Sequence, residues 1–163
     1  FSAYLGAISI SIIGFCNIFG AYYTGVASST FSKRKLLIAI YIGRAIAITF
    51  FLSLPISTVS LLVFSAFMGF LWLATVPPTS SLVATFFGTR YMSFLYGIVF
   101  FSHQLGSFTG VWLGGWLYEN FGSYNGVWIA GIILGLIAAI LHFYISEENY
   151  SKKLQSSGDI THA

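Results

Sequence analysis

Charged residues are scarce in this sequence of 163 residues. They make up 7% of it, against about 25% in a typical soluble domain, while 57% of the residues are hydrophobic. This composition argues against a soluble fold. The net charge of +3 does not predict nucleic-acid binding, because the basic residues are grouped in loops between apolar runs rather than on one soluble surface.

Catalytic and metal-binding patterns are also missing. The only cysteine, Cys16, lies within an apolar run, so it can form no internal disulfide and has no metal-ligand spacing. The sequence contains no recognisable set of nucleophile, base and acid, and no phosphate-binding glycine loop. We therefore expect neither an enzyme nor a cofactor.

Long apolar runs are what the sequence does contain. A membrane-spanning helix needs roughly 20 mostly apolar residues. Five runs meet this length: Ala3–Val26, Leu36–Leu54, Val59–Phe87, Ser93–Leu117 and Gly126–Ile145. We predict an all-α fold, a polytopic membrane helix bundle with five transmembrane helices in the lipid bilayer. Pro77 and Pro78 lie inside the third run, where proline removes backbone donors, so they predict a kink or a break.

The composition changes after the fifth run. Residues 1–146 are predicted to form a partial transmembrane bundle. Residues 147–163 are rich in Ser, Lys and Glu, so we expect a disordered tail. The chain begins at Phe1 without an initiator Met, a charged n-region or a cleavage site. We expect that it starts inside a longer protein.

The basic residues predict the orientation in the membrane. If each run crosses the bilayer once, six of the seven Lys and Arg residues fall on one side. They are Lys33, Arg34, Lys35, Arg90, Lys152 and Lys153. By the positive-inside rule that side is cytoplasmic. The expected location is the cell inner (plasma) membrane, crossed several times, with the C-terminus in the cytoplasm.

Small residues at four-residue spacing predict close helix packing. One stripe consists of Gly106, Gly110 and Gly114, and another of Gly131, Gly135 and Ala139. Helices in lipid associate where small side chains let their backbones approach. We interpret both stripes as packing surfaces, which do not identify a substrate.

Arg44 lies near the middle of the second run and is the first candidate for function. A charge at the bilayer centre costs at least ~2.5 kcal/mol on insertion scales, so it usually faces a cavity or a partner. Its planar guanidinium could hold an anionic group in a substrate pathway. Alternatively, it could be a structural arginine bonded to carbonyls at a helix end.

His103 and Gln104 form a polar interruption in the fourth run, and Ser102 and Ser107 flank them. A histidine titrates near physiological pH, so His103 could carry a coupling proton. It could equally make a hydrogen bond between helices. The spans contain no Asp or Glu, so a transporter coupled to protons through a carboxylate would need that group elsewhere.

Two further features complete the candidate pathway. Pro77 and Pro78, with nearby hydroxyl side chains, could line the pathway or hinge a gate, although neighbouring helices could also reseal such a kink. Asn17 in the first run could contribute a polar group to the same pathway.

The end of the first run resembles a loop motif of the major facilitator superfamily, in the stretch NIFGAYYTGVASSTFSKRKLL. Gly25 matches the leading glycine of that motif, and Lys33 and Arg34 match its basic end. Ser29 and Thr30 stand where the family has Asp and Arg, which weakens a charge-relay role for this loop.

The resemblance extends over nearly the whole chain except the tail. The stretch from Leu73 to Gly122 is similar to two helices of monocarboxylate-transporter-like bacterial members, and the five runs resemble the eighth to twelfth helices of a twelve-helix transporter. The resemblance implies a C-terminal half that pairs with a missing N-terminal half and moves a small solute by alternating access. It implies a substrate site near the membrane midplane, where Arg44 and His103 lie.

A small organic anion such as a monocarboxylate, taken up by symport with protons, is the expected solute. One alternative is an efflux transporter for hydrophobic or cationic compounds. An alternative of another class is a membrane scaffold or assembly subunit that does not transport.

Overall fold

The computed structural model describes residues 2–147 and contains six helices. They are α1 (Ala3–Thr30), α2 (Lys33–Ser53), α3 (Thr58–Trp72), α4 (Val76–Phe87), α5 (Met92–Phe121) and α6 (Asn125–Phe143). The described residues form no strand, which confirms the all-α prediction. Residues 148–163 of the predicted tail lie outside the described part of the chain.

Serine side chains fix the starts of the first three spans. Ser2 caps α1, Ser32 caps α2, and Ser57 caps α3 together with Ser60 in a reciprocal capping box. Such caps satisfy N–H groups that have no partner within the helix. At the C-terminal end of α5, Gly122 adopts a left-handed conformation that glycine accepts without strain. Local chemistry therefore sets the boundaries close to the predicted ones.

The third predicted span is broken near its middle. Fifteen residues of α3 precede the break and twelve residues of α4 follow it. Pro77 and Pro78 lie in the first turn of α4, where their missing N–H groups cost little. The predicted break is confirmed, and the prolines start the second helix rather than bend a continuous one.

Two helix pairs form the packed part of the bundle. α1 lies against α3, and α2 lies against α6, while α4 contacts both α1 and α2. At the first interface a Cβ on Gly20 would overlap the carbonyl oxygen of Phe70, and one on Gly69 would lie 2.6 Å from that of Ile13. Only glycine permits such an approach of two backbones.

The two predicted glycine stripes have different environments. On α6, Gly131 and Gly135 face α2, and Ala139 is buried, so this stripe is a packing surface as predicted. On α5, Gly114 meets Val127, but Cβ atoms on Gly106 and Gly110 would have nothing within 4 Å. Within residues 2–147 nothing packs on these two glycines, because among the described helices α5 contacts only α4 and α6, so for them the packing surface stays a prediction.

Four segments of the described chain are long and apolar enough to cross a membrane: Ala3–Thr30, Lys33–Ser53, Thr58–Phe87 and Asn125–Phe143. α5 has the length, with 30 residues, but His103 and Gln104 lower its hydropathy. Residues that follow α6 contact the start of α2, and Trp128 near the start of α6 packs on Phe51 near the end of α2. α2 and α6 are therefore antiparallel. This is the arrangement expected if each of the five predicted spans crosses the membrane once.

Candidate functional site

The break between α3 and α4 leaves backbone groups without partners in their own helix. In a continuous helix, the carbonyls of Leu71 and Trp72 would accept from the N–H groups of Thr75 and Val76. The Val76 N–H instead donates to the Leu73 carbonyl at 3.0 Å. Such groups need other partners at membrane depth, since lipid offers none.

Arg44 supplies donors to these carbonyls. Its Nε and Nη2 atoms donate to the Leu71 carbonyl at 3.1 and 2.6 Å, and Nη2 also donates to the Trp72 carbonyl at 2.5 Å. The Thr75 hydroxyl accepts from Nη2 at 3.5 Å, and the Tyr41 ring lies 5.5 Å from the guanidinium carbon. Arg44 therefore joins α2 to the end of α3, the geometry of a structural arginine.

Asn17 contacts the same break from α1. Its Oδ1 atom accepts a hydrogen bond of 3.1 Å from the backbone N–H of Leu73, the residue that follows α3. Side chains of α1 and α2 thus converge on three consecutive residues, 71–73. We call Arg44, Asn17 and the backbone of residues 71–73 the break clasp.

The start of α4 rests on α1. Gly25 approaches Pro77, and a Cβ at Gly25 would lie 3.8 Å from the Pro77 Cβ atom. Pro78 is buried. The hydroxyls of Thr79 and Ser80 donate to carbonyls of their own helix, at 2.7 and 2.9 Å. These two hydroxyls stabilise the first turn of α4.

His103 and Gln104 lie apart from the break clasp. Both are exposed on α5, and the ring of His103 has the Phe100 ring as its neighbour at 6.0 Å. Within residues 2–147, α5 makes no contact with α1 or α2. The structure therefore brings together Arg44, Asn17 and the two prolines, but not the predicted pair on α5.

The basic loop forms a second polar cluster at the end of the bundle. A carboxylate oxygen of Glu147 accepts from the Ser32 hydroxyl and, at 2.8 Å, from the Arg34 N–H. Arg34 Nη1 donates to the carbonyls of Phe143 and Ile145, at 3.4 and 3.1 Å. The basic end of the loop motif thus ties the start of α2 to the segment after α6.

The environment of Glu147 favours its charged form. Partial burial raises the pKa, but hydrogen bonds from Ser32 and from the backbone of Arg34 and Lys33, with the charge of Lys33, lower it more. The pKa of Glu147 therefore lies below its usual range. A negative charge at a helix N-terminus is also stabilised by the helix dipole.

Two contacts were missed from the sequence. Glu147 falls at the start of the predicted tail, and only its neighbours in space show its role. The contact between Asn17 and Leu73 joins residues 56 positions apart. The one available signal for it was a polar amide within an apolar run, which does not name its partner.

A family model described as Major Facilitator Superfamily matches residues 2–161. The chain belongs to the major facilitator superfamily. The predicted family is confirmed, and with it a multi-pass membrane protein that functions in transport. Superfamily members are transporters rather than enzymes. Comparisons with curated proteins and with solved structures gave no significant match.

Proposed function

We propose that this chain is the C-terminal part of a secondary transporter that moves a small organic anion, such as a monocarboxylate, by alternating access. The main support is Arg44, a cation near the middle of α2 whose recorded partners are two carbonyls and a hydroxyl. These neutral groups do not cancel its charge. A carboxylate would do so, and it matches the planar guanidinium in shape.

The distribution of acidic residues supports an anion over a cation. Among residues 2–147, the acidic side chains are Glu119 and Glu147, near the end of α5 and after α6. A pathway for cationic compounds would need carboxylates at depth. In this part of the molecule, the unneutralised charge at depth is positive.

The break in the third span supports a midplane site. Secondary transporters commonly form their sites from discontinuous helices near the middle of the bilayer. The break lies between helices of fifteen and twelve residues, beside Arg44. We assign Pro77 and Pro78 to a hinge of this span, and Asn17 to the same pathway.

The proposed transporter also needs a second half and a group that carries the coupling proton. An N-terminal half of the same protein would complete the pathway, and His103 would carry a coupling proton in a symport cycle. The exposed position of His103 and Gln104 on α5 is compatible with both roles. Protons and the solute are then the transported partners.

The expected orientation places the C-terminus in the cytoplasm, in the inner or plasma membrane. Lys33 and Arg34 lie at the same end of the bundle as the end of α6. The positive-inside rule favours the cytoplasm for that end.

The test uses the complete gene product that contains this chain, reconstituted in liposomes. Uptake of radiolabelled acetate, lactate and pyruvate is measured with and without an inward proton gradient. The proposal predicts uptake that the gradient accelerates, and a loss of at least about tenfold in Arg44→Ala, since removing one partner of a charged pair costs more than 1.4 kcal/mol.

Arg90→Ala is the matched control, because it removes a cation that lies in a loop and contacts the ring of Tyr91. It should transport like the wild type. Absence of carboxylate uptake in the wild type would contradict the organic-anion proposal. Extrusion of a hydrophobic cation would favour the efflux alternative, and no flux of either class would favour the scaffold.

A further inference from the structure

The carbonyls of the break and a carboxylate substrate would use the same edge of Arg44. Nε and Nη2 form one side of the planar guanidinium, and both donate to the Leu71 carbonyl. Bidentate recognition of a carboxylate uses two parallel N–H groups of such an edge. A carboxylate on this edge would therefore have to displace the carbonyl of Leu71.

The break clasp is accessible to a competing ligand. Trp72 and Leu73, the residues at the end of α3, are 56% and 44% exposed at the surface of the described bundle. The contact of Arg44 Nη2 with the Trp72 carbonyl also lies on the exposed side. Arg44 itself is half-buried between Tyr41 and the break.

The two halves of the clasp would respond differently to an anion. Arg44 is charged and can exchange neutral carbonyls for a carboxylate. Asn17 is neutral and holds the Leu73 N–H at 3.1 Å, a donor that an anion does not need to displace. α4 remains attached to α1 at the contact of Gly25 with Pro77. Loss of the Arg44 bonds would leave the break hydrogen-bonded to α1 but no longer to α2.

We infer that Arg44 alternates between the carbonyls of Leu71 and Trp72 and the carboxylate of the substrate, so that anion binding loosens the hinge between α3 and α4. Arg44 is thus a binding residue for the anion and a positioning residue for the break. Asn17 is the fixed side of the hinge. The inference rests on the proposed transport of an organic anion, and it adds how binding starts the conformational change.

Hydrogen–deuterium exchange of the complete protein in liposomes tests this inference, with lactate as the probe. The amides to follow are those of Leu73, Val76 and Thr79, which donate across or near the break. Saturating lactate should accelerate exchange at Val76 and Thr79 about tenfold or more in the wild type, because the charge-assisted bonds of Arg44 to the break are lost. Exchange at Leu73, whose N–H is held by Asn17, should change little.

Arg44→Lys keeps the charge but lacks the planar edge. In this variant the amides of Val76 and Thr79 should exchange fast without lactate. Lactate should change their exchange rates less than twofold, which is about the effect of an unrelated surface substitution. Asn17→Ala should exchange fast at Leu73 in both conditions but keep the lactate response at Val76 and Thr79. Asn120→Ala is the matched control, since Asn120 bonds only within its own helix, to the Trp116 carbonyl, and should behave like the wild type.

The two proposals fail in different ways. Lactate uptake with unchanged or slower exchange at the break would overturn the alternating role of Arg44 and leave the anion transporter intact. Absence of both uptake and lactate binding would overturn the proposed function, and the inference with it. An equal lactate response in the wild type and Arg44→Lys would show that another group starts the change, which also overturns the inference.

Discussion

The interface between α1 and α3 and the outer face of α5 carry similar small residues but have opposite environments. Gly20 and Gly69 lie where two backbones meet, and no side chain fits there. Gly106 and Gly110 on α5 have nothing within 4 Å of an added Cβ. Small residues at helical spacing thus permit close packing, but a partner helix at the right position decides whether it occurs.

The polar residues of these two regions also differ in their surroundings. Arg44 and Asn17 reach the end of α3 from α2 and α1, where they satisfy backbone groups left by a broken helix. His103 and Gln104 lie on α5 and are exposed. Within residues 2–147, the polar side chains Arg44 and Asn17 therefore bond to the backbone of another helix, whereas His103 and Gln104 lie on a face that no described helix covers.

Gly20→Ala should give the largest loss of stability. The new methyl group would overlap the backbone of Phe70, so α1 and α3 must separate, and we expect a cost of about 3 kcal/mol or more. Thermal unfolding in detergent measures this, followed by labelling of Cys16, which lies at the same interface. Gly110→Ala should change stability by less than about 1 kcal/mol. Equal effects of the two substitutions would contradict the difference between the regions.

Arg44→Met should give the next largest effect. It keeps the length of the side chain but leaves the carbonyls of Leu71 and Trp72 without their donor, at a cost of about 2–3 kcal/mol. The same unfolding assay checks this. Arg90→Met, which removes an exposed loop cation, should be close to neutral. A neutral Arg44→Met would mean that the break does not depend on Arg44.

Asn17→Ala should cost less, about 0.5–1.5 kcal/mol, because the exposed N–H of Leu73 loses one neutral acceptor that water can replace. Its effect should be concentrated at the break, as measured by faster amide exchange at Leu73. Asn120→Ala, which removes an exposed bond within one helix, serves as the comparison. A similar loss in both variants would show that Asn17 has no special role.

Glu147→Gln should have the smallest effect, confined to the start of α2. Because the pKa of Glu147 is lowered in the folded protein, its stabilising contribution is present above the ordinary carboxyl pKa and is lost as the pH falls through the lowered value. Amide protection at Arg34 should therefore fall in acid for the wild type. It should vary little with pH in Glu147→Gln.

Glu119→Gln is the control for Glu147, since Glu119 is exposed at the end of α5. This variant should keep the acid-dependent loss of protection at Arg34. If Glu147→Gln keeps it as well, another group controls the start of α2.

Local sequence features predicted much of the fold. Apolar length predicted the spans, and Pro77 and Pro78 predicted the break, because each of these features depends on residues close in sequence. The sequence also placed Arg44 near the middle of a predicted span and left two possible roles open. The bonds of Arg44 to the carbonyls at the end of α3 agree with the structural role. The anion-binding role stays a prediction.

Contacts between distant residues could not be predicted in this way. The bond from Arg34 to Glu147 spans 113 positions, and its carboxylate belongs to a segment whose composition predicts disorder. The environment of Gly106 likewise depends on which helix lies beside α5, and its four-residue spacing is the same as that of the packed stripe on α6. Periodicity identifies a face, but it does not identify what covers that face.

The most direct test of the central claim is the distance between Arg44 and a bound substrate. Solid-state NMR on the complete protein, with ¹⁵N-labelled arginine and ¹³C-carboxyl lactate, measures the dipolar coupling between the guanidinium and the carboxylate. We predict a coupling that corresponds to about 4 Å, the separation in a bidentate pair, and its absence in Arg44→Lys. Bound lactate with no arginine coupling, or a coupling unchanged in Arg44→Lys, would contradict the assignment of Arg44 to the anion site.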